Sequence, residues 1–375
     1  MGYRRWASWH RYLGLALAAH WLLLAITGIL LVFHRDIEQA ALSSGQDPQT
    51  QSLDAVAGAI VRLRPDCVID RMTTLNGGIG LLRIKAQCSG EERSLVFDTG
   101  VMQVVGDSPA TGSFRADGFF QSVYQLHQML LLGADGKTPV ALSGLAMVTI
   151  ALIGYVLVWP QRGRLKSLIW PKTVGNGRSR MIQLHRALGI ILGPFLILAA
   201  LTGAGMNWTP ALAGVMEKIG MAAPPAAVAP QANAVGPVSA DGALAIARAR
   251  FPDANFTSVA MPQDPNGQFL VRLRQSGEAH QTFGLTAIAV EANSGDITSV
   301  HDPRNAPIGN VALEWLFALH NGEILGIVGR MLVLALGCAL IAITWMAVLA
   351  WSRTRKPAKL AANLRRREKA IDSHG

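Results

Sequence analysis

Four long apolar stretches constrain the fold of this chain more than any other feature. Each is 21 or 22 residues long, and a helix of that length reaches about 30 Å, the thickness of a bilayer's hydrocarbon core. Charged residues make up only 15% of the 375 residues, which is low for a soluble protein of this size. We therefore predict four transmembrane helices: Tyr12 to Phe33, Pro139 to Trp159, Ala187 to Trp208 and Met331 to Trp351.

The positive charges of the chain lie beside these stretches. The formal net charge is +10, and Lys and Arg are concentrated before the first stretch, between the second and third, and after the fourth. Loops rich in Lys and Arg stay on the cytoplasmic side of a bacterial inner membrane. We therefore expect both termini in the cytoplasm, and residues 35–138 and 209–330 in the periplasm. The same distribution argues against nucleic-acid binding, which needs the basic residues on one soluble face.

The two predicted periplasmic segments share one pattern of elements. Each opens with a helix that ends beside a proline, and strand-like runs and a turn follow, as in a small α+β module. Cys67 and Cys88 both lie in the first segment, and the sequence leaves a disulfide and two free thiols equally open. The predicted elements are helices Leu53–Arg62 and Ala240–Arg250, and strands Cys67–Leu75, Ile79–Ala86, Glu92–Phe97, Val101–Val105, Asn255–Met261, Gln268–Arg274 and Thr282–Val290.

Short motifs recur in the two halves of the chain. A His-Arg-x-Leu-Gly sequence opens the first and third stretches, a Thr-Gly pair lies near the far end of both, and a Leu-His pair precedes the second and fourth. Self-similarity of this kind indicates a repeat architecture. We therefore predict an internal tandem duplication of a span, a module and a second span. The recurring positions are His10 and His185, Thr27 and Thr202, and His127 and His320.

The predicted fold is an α-helical four-span membrane bundle with two α+β periplasmic modules. Residues 1–34 form the first transmembrane helix, 35–115 module 1, 116–160 an interfacial helix and the second span, 161–184 a cytoplasmic loop, 185–208 the third span, 209–305 a linker and module 2, 306–352 an interfacial helix and the fourth span, and 353–375 a basic cytoplasmic tail.

These motifs resemble those of the PepSY-associated transmembrane family, and the resemblance covers nearly the whole chain. It implies that the two modules are PepSY-like and that the protein acts in iron uptake. Within the family, the chain is similar to inner-membrane ferric-siderophore reductases of the FoxB type. That similarity implies two b-type haems and a periplasmic ferric siderophore, or another Fe(III) chelate, as the substrate.

Four histidines at recurring positions are the candidate haem ligands. We expect His10 and His185 at the cytoplasmic membrane edge and His127 and His320 near the periplasmic edge. Neutral imidazole is a good axial ligand for haem iron, and two helices at one depth suit ligation by two histidines. Interfacial anchoring is the alternative for the first pair, and an amphipathic helix resting on the membrane is the alternative for the second.

Other polar residues near the spans are secondary candidates. Arg11 and Arg186 could pair with haem propionates or simply mark the cytoplasmic side. His20, in the middle of the first span, is the first alternative ligand, although it could also be a proton carrier or a hydrogen-bonding group. His34 is the second alternative ligand, although it could also lie in an acceptor site or be solvated at the membrane interface. We expect His280 and His301 on the surface of module 2.

The predicted function is transmembrane electron transfer to a ferric complex bound between the two modules. The electron would enter at the inner haem, pass to the outer haem and reduce Fe(III) to Fe(II). The chain has no Gly-x-Gly-x-x-Gly motif after a strand, so a separate donor is needed: quinol, reduced flavin or a flavoprotein. The alternative function is non-enzymatic, either siderophore transport or a periplasmic sensor or protease-inhibiting role.

Overall fold

The computed structural model of the chain divides into two compact units. The membrane unit comprises Met1–Ile29, Pro139–Ala204 and Leu332–Gly375, and the sheet unit comprises Leu30–Thr138 and Gly205–Met331. Each unit is therefore assembled from both halves of the sequence. The described residues are 2–75, 77–115, 118–159, 163, 165–171, 177–224, 226–227, 236–264, 267–280 and 283–372.

Four helices are long and apolar enough to cross a membrane, which confirms the four predicted spans. Two of them begin well before the apolar stretch, α1 nine residues and α7 ten residues earlier than predicted. The apolar stretch marks only the lipid-facing part, and the basic and polar residues before it continue the helix. The candidate ligands in these segments consequently lie inside helices. The four helices are α1 (Tyr3–Leu31), α5 (Lys137–Val158), α7 (Gly177–Asn207) and α11 (Gly326–Asp372).

The sheet unit contains one continuous antiparallel sheet with strand order β4-β3-β2-β1-β6-β7-β8-β9-β5. The two predicted modules are joined edge to edge, because β1 of the first pairs with β6 of the second. Met72 lies opposite Val259 at the centre of this join. The strands are β1 (Cys67–Thr74), β2 (Leu81–Cys88), β3 (Glu91–Asp98), β4 (Gln103–Pro109), β5 (Ala226–Ala227), β6 (Asn255–Ala260), β7 (Gln268–Arg274), β8 (Thr286–Glu291) and β9 (Ile297–His301).

Two helices cover one face of this sheet and form its core. The helices α3 (Leu53–Leu63) and α9 (Ala240–Arg250) bury one apolar face each against alternating strand residues, such as Leu82 and Ile84. Residues that alternate in a strand point to opposite faces. Arg83, between these two residues, therefore points to the opposite face of the sheet.

The N-termini of α3 and α9 cap each other. The carboxylate of Asp241 accepts hydrogen bonds from the backbone N–H of Leu53 at 2.8 Å and from the hydroxyl of Ser52. In return, Asp54 accepts from the N–H of Ala240 at 3.0 Å and from the hydroxyl of Ser239 at 2.5 Å. A carboxylate satisfies the unpaired N–H groups at a helix start and is favoured there by the helix dipole. The two helices thus exchange equivalent contacts.

A disulfide and several shorter elements complete the fold. Cys67 and Cys88, which face each other across β1 and β2, form a disulfide. Residues 221–237, within the segment 209–305 predicted as a linker and module 2, contribute the short strand β5, which pairs with β9. Residues 225 and 228–235 of that linker, parts of the predicted loop 161–184, and His374 in the predicted tail lie outside the described residues. The other helices are α2 (His34–Leu42), α4 (Phe119–Met129), α6 (Leu165–Ile169), α8 (Thr209–Lys218) and α10 (Ile308–Asn321).

Candidate functional site: two histidine pairs

The inner histidine pair consists of His10 on α1 and His185 on α7. Their ring centres lie 6.1 Å apart, and the ring planes meet at 79°. The Nδ1 atom of His10 lies 3.1 Å from the carbonyl oxygen of Ile150, and Nδ1 of His185 lies 3.0 Å from that of Ile343. A carbonyl oxygen only accepts hydrogen bonds, so each Nδ1 carries the proton and donates. The lone pair is then on Nε2, the nitrogen left for a metal ion.

The two carbonyl groups that orient this pair come from corresponding positions. Ile150 lies on α5 and Ile343 on α11, 193 residues later in the sequence. The same separation relates His127 and His320, the other recurring pair before these helices. The inner site therefore takes the same contact from each half of the chain.

A glycine follows each inner histidine by four residues. Residues at this spacing share one face of a helix. A Cβ atom on Gly189 would meet no atom of the described residues within 4 Å, and one on Gly14 would meet only Ile150 Cδ1, at 3.8 Å. On each helix, the face that carries the histidine therefore has free space one turn after it, at the glycine, among the described residues.

The outer histidine pair consists of His127 on α4 and His320 on α10. Their ring centres lie 6.2 Å apart, and the planes meet at 57°. Each histidine is in the last turn of its helix. A residue in the left-handed conformation follows each helix, Leu130 with φ 55° and Gly322 with φ 81°. Such residues commonly terminate helices.

The turn after each of these helices depends on a glycine nine residues beyond the histidine. A Cβ atom on Gly136 would lie 1.7 Å from the carbonyl oxygen of Met129. One on Gly329 would lie 2.0 Å from that of Gly322. Met129 and Gly322 each lie two residues beyond a histidine. Only glycine permits this approach of two backbone segments, which fixes the position of the end of each helix.

Two histidine–carboxylate contacts lie beside the helix that carries His320. The ring of His280 stacks on Phe317 at 4.5 Å, and its Nδ1 lies 3.1 Å from the Glu323 carboxylate. The Nε2 atom of His301 lies 2.5 Å from the Glu314 carboxylate. His280 is only 5% exposed, so the expectation that it lies on the surface is wrong. His301 is also mostly covered. Each ring lies close to a carboxylate oxygen, which provides a polar contact for the covered imidazole.

His20 lies apart from both pairs. Its Nε2 atom is 2.8 Å from the Ser143 hydroxyl, which itself donates to the carbonyl oxygen of Val140 at 2.8 Å. The hydroxyl has a single proton, so it accepts the hydrogen bond from His20, whose Nε2 is protonated. Within the described part of the chain, no second histidine ring contacts His20.

The other secondary candidates occupy different surroundings. His34 begins α2, with Nδ1 2.6 Å from the carbonyl oxygen of Leu31 and its ring 6.0 Å from that of Phe120. Burial lowers the pKa of His34 by more than this hydrogen bond raises it. Arg11 is exposed and donates to the hydroxyl of Tyr12 at 3.2 Å, and Arg186 is partly buried.

Both histidine pairs have the dimensions of a site for haem iron. Two bonds of about 2 Å from a metal ion to imidazole nitrogens, with about 1 Å from each nitrogen to its ring centre, place the ring centres roughly 6 Å apart. The observed separations are 6.1 and 6.2 Å. The carbonyl groups behind the inner rings supply the hydrogen bond that ligating histidines usually make. The residues present therefore fit the cofactor that the sequence resemblance implies.

The chain combines four helices that could span a membrane with an antiparallel sheet unit. This combination is that of a multi-span membrane protein with PepSY-like modules. Residues 7–353 match the family described as the PepSY-associated TM region, and the chain belongs to that family. No curated protein matches the sequence. The matched residues include both histidine pairs.

The roles of some residues near the outer pair were not predicted from the sequence. Arg35, which lies at the start of α2, resembles any cation that follows a span. The contacts His280–Glu323 and His301–Glu314 join residues 43 and 13 positions apart in the sequence. The two histidines are visible in the sequence, but no local pattern marks their carboxylate partners.

Proposed function

We propose that this protein is an inner-membrane haem b protein that transfers electrons to a ferric chelate outside the cytoplasm. The observation that carries the proposal is the presence of two histidine pairs with nearly equal ring separations, 6.1 and 6.2 Å. A sensor or a transporter has no need of two such pairs. The resemblance to ferric-siderophore reductases supports the same function.

The chain's own residues would hold the two haems. His10 and His185 would ligate the inner group through Nε2, because their Nδ1 atoms are engaged by backbone carbonyls. His127 and His320 would ligate the outer group. When bound, b haems supply one-electron redox chemistry, and the protein tunes their potential through hydrogen bonds, burial and nearby charge.

Several observations support the proposed orientation and ancestry. The disulfide between Cys67 and Cys88 belongs to the sheet unit, and disulfides persist in oxidising compartments such as the periplasm. The clusters of Lys and Arg beside the spans favour cytoplasmic termini. Matching caps, carbonyl contacts and turn glycines in the two halves support an internal duplication.

The proposed substrate is a ferric siderophore or another Fe(III) chelate with oxygen ligands. One electron converts Fe(III) to Fe(II), and hard oxygen ligands hold the less charged ion more weakly. The electron must come from a separate donor, quinol or a reduced flavin. The two modules are joined by the β1–β6 pairing, so the acceptor would bind on the joint sheet unit rather than in a cleft between separate modules.

The visible absorption spectrum of the detergent-purified chain tests this proposal. We expect sharp low-spin bands after reduction by dithionite and two b haems per chain in a pyridine haemochrome assay. Mixing the reduced protein with a ferric trihydroxamate should then reoxidise it and yield Fe(II), which a ferrous-specific chelator detects. A colourless protein from haem-replete cells would overturn the proposal and favour a transport or sensor role.

A further inference from the structure

The guanidinium of Arg35 is a cation near the outer histidine pair. The Arg35 guanidinium lies 3.9 Å above the ring of Phe283. Among the described residues, no acceptor forms a hydrogen bond or an ion pair with it. A guanidinium has five N–H donors, and leaving them unpaired in a partly buried position is unfavourable.

The neighbouring charged groups are already engaged with one another. Arg83 contacts the Glu38 carboxylate at 2.7 Å, and Arg330 contacts both the Asp36 carboxylate and the carbonyl oxygen of Val32. Glu323 is paired with His280. The acids around Arg35 therefore each hold a different partner, and none of them supplies it with a hydrogen bond.

Arg35 lies close to both helices of the outer pair. Its charge interacts with Tyr124, one helical turn before His127, and with Glu323, three residues after His320. One helical turn is about 5.4 Å along the axis. Burial lowers the pKa of Arg35 to about 10, so the group remains positively charged at neutral pH.

We propose that Arg35 is a carboxylate-binding residue of the outer site. The carboxylate has two possible sources, a propionate of the haem proposed between His127 and His320, or a carboxylate of the ferric chelate. A planar guanidinium recognises a carboxylate through two parallel hydrogen bonds. This inference rests on the proposed function. The corresponding position in the second half, 175 residues later, is Pro210, so the site exists in one copy only.

Redox titration of the full chain, with Arg35→Gln, Arg35→Lys and the control Arg62→Gln, separates the possible sources. Arg62 is an exposed cation on α3, so its replacement changes net charge equally without touching the site. If the partner is a propionate, Arg35→Gln should reduce the equilibrium constant for reduction of one haem about tenfold, a fall of ~59 mV for a one-electron couple. Arg35→Lys should recover part of it.

Two further arms complete the test. Replacing haem with its dimethyl ester in the unaltered chain removes the negative charge that Arg35 would neutralise, so the potential should rise, and the shift caused by Arg35→Gln should be smaller with the ester than with haem. If the partner is a chelate carboxylate, the potentials stay unchanged, and Arg35→Gln instead slows reoxidation by ferric citrate about tenfold while sparing a ferric trihydroxamate.

The outcomes separate this inference from the proposed function. A coloured protein whose potentials and chelate kinetics are the same in Arg35→Gln and Arg62→Gln would overturn the carboxylate site and leave the proposed function intact. The contact of Arg35 would then be the cation–π contact with the Phe283 ring. A wild-type chain without haem would overturn both.

Discussion

The two histidine pairs have almost the same ring separation, but the chain builds their surroundings in different ways. Each inner ring is oriented by a backbone carbonyl, and the two carbonyls come from corresponding positions of the two halves. The outer pair has titratable neighbours that differ between the two halves: Arg35 precedes the first module, and His280 and Glu323 belong to the second.

The two halves of the chain thus agree in these backbone contacts and differ in the side chains near the outer pair. Backbone contacts depend on helix packing, so they recur wherever the packing recurs. Side-chain charges can change by substitution without altering the path of the chain. The inner site accordingly has matching contacts from both halves, whereas the side chains near the outer site differ between the halves.

Removing one histidine from each pair should have the largest effect. We expect His10→Ala and His127→Ala each to lose one of two b haems, because a single imidazole cannot complete the pair. The pyridine haemochrome count and the low-spin bands of the remaining haem provide the measurement. Loss of both haems in both variants would mean that the pairs are not independent sites.

Replacing Gly136, the turn glycine after α4, should have the second largest effect and should affect the outer pair but not the inner pair. Gly136→Ala brings a Cβ against the Met129 carbonyl, and crowding of this kind costs about 1–3 kcal/mol. We expect a lower melting temperature and weakened low-spin bands from the outer haem only. Gly214→Ala on α8 is the matched control, since its Cβ meets no described atom within 4 Å. Equal loss in the two variants would refute the role of the turn.

Gly189→Ala makes the reverse comparison. Its Cβ would enter space that the described residues leave free, so the fold should be unaffected. If that space belongs to the inner haem, the haem bands of the inner site should shift or weaken while the melting temperature of haem-free protein stays constant. An unchanged spectrum would place the inner group away from this helix face.

Asp241→Asn should weaken the sheet unit alone, by about 1 kcal/mol, because the amide keeps one acceptor oxygen but removes the negative charge at the start of α3. Burial raises the pKa of Asp241, but the hydrogen bonds from Ser52, Leu53 and Asp54 outweigh it, and the net pKa is lowered. The stabilisation is therefore present above the pKa of an ordinary carboxyl and is lost as the pH falls through the lowered value.

Urea unfolding at several pH values tests this difference. The gap between wild type and Asp241→Asn should be constant near neutral pH and should narrow below about pH 4. The inner haem bands should not respond. A gap that persists at low pH would show that the carboxylate charge is not what caps α3.

His20→Phe should have the smallest effect. Phenylalanine occupies the corresponding position, Phe195, in the second half. We expect two haems to remain, with only the hydrogen bond to Ser143 lost. A missing haem in this variant would make His20 a ligand and would break the pairing of His10 with His185.

The spans and most strands could be predicted because their signals are local. Apolar length defines a span, and alternation defines a strand, so β7 begins and ends as predicted, at Gln268 and Arg274. The β1–β6 join could not be predicted, since the pairing of two strand edges leaves no mark in either strand. The acceptors on Ile150 and Ile343 are backbone atoms, which any residue carries.

The join between β1 and β6 has a consequence for how such a chain could arise and assemble. Met72 lies opposite Val259, its counterpart 187 residues later, and Arg71 and Thr73 lie opposite Ala260 and Ser258. Two identical half-chains could make the same contact around a two-fold axis. A homodimer of one span–module–span unit would then already carry both histidine pairs, and gene fusion would later have freed each half to change on its own.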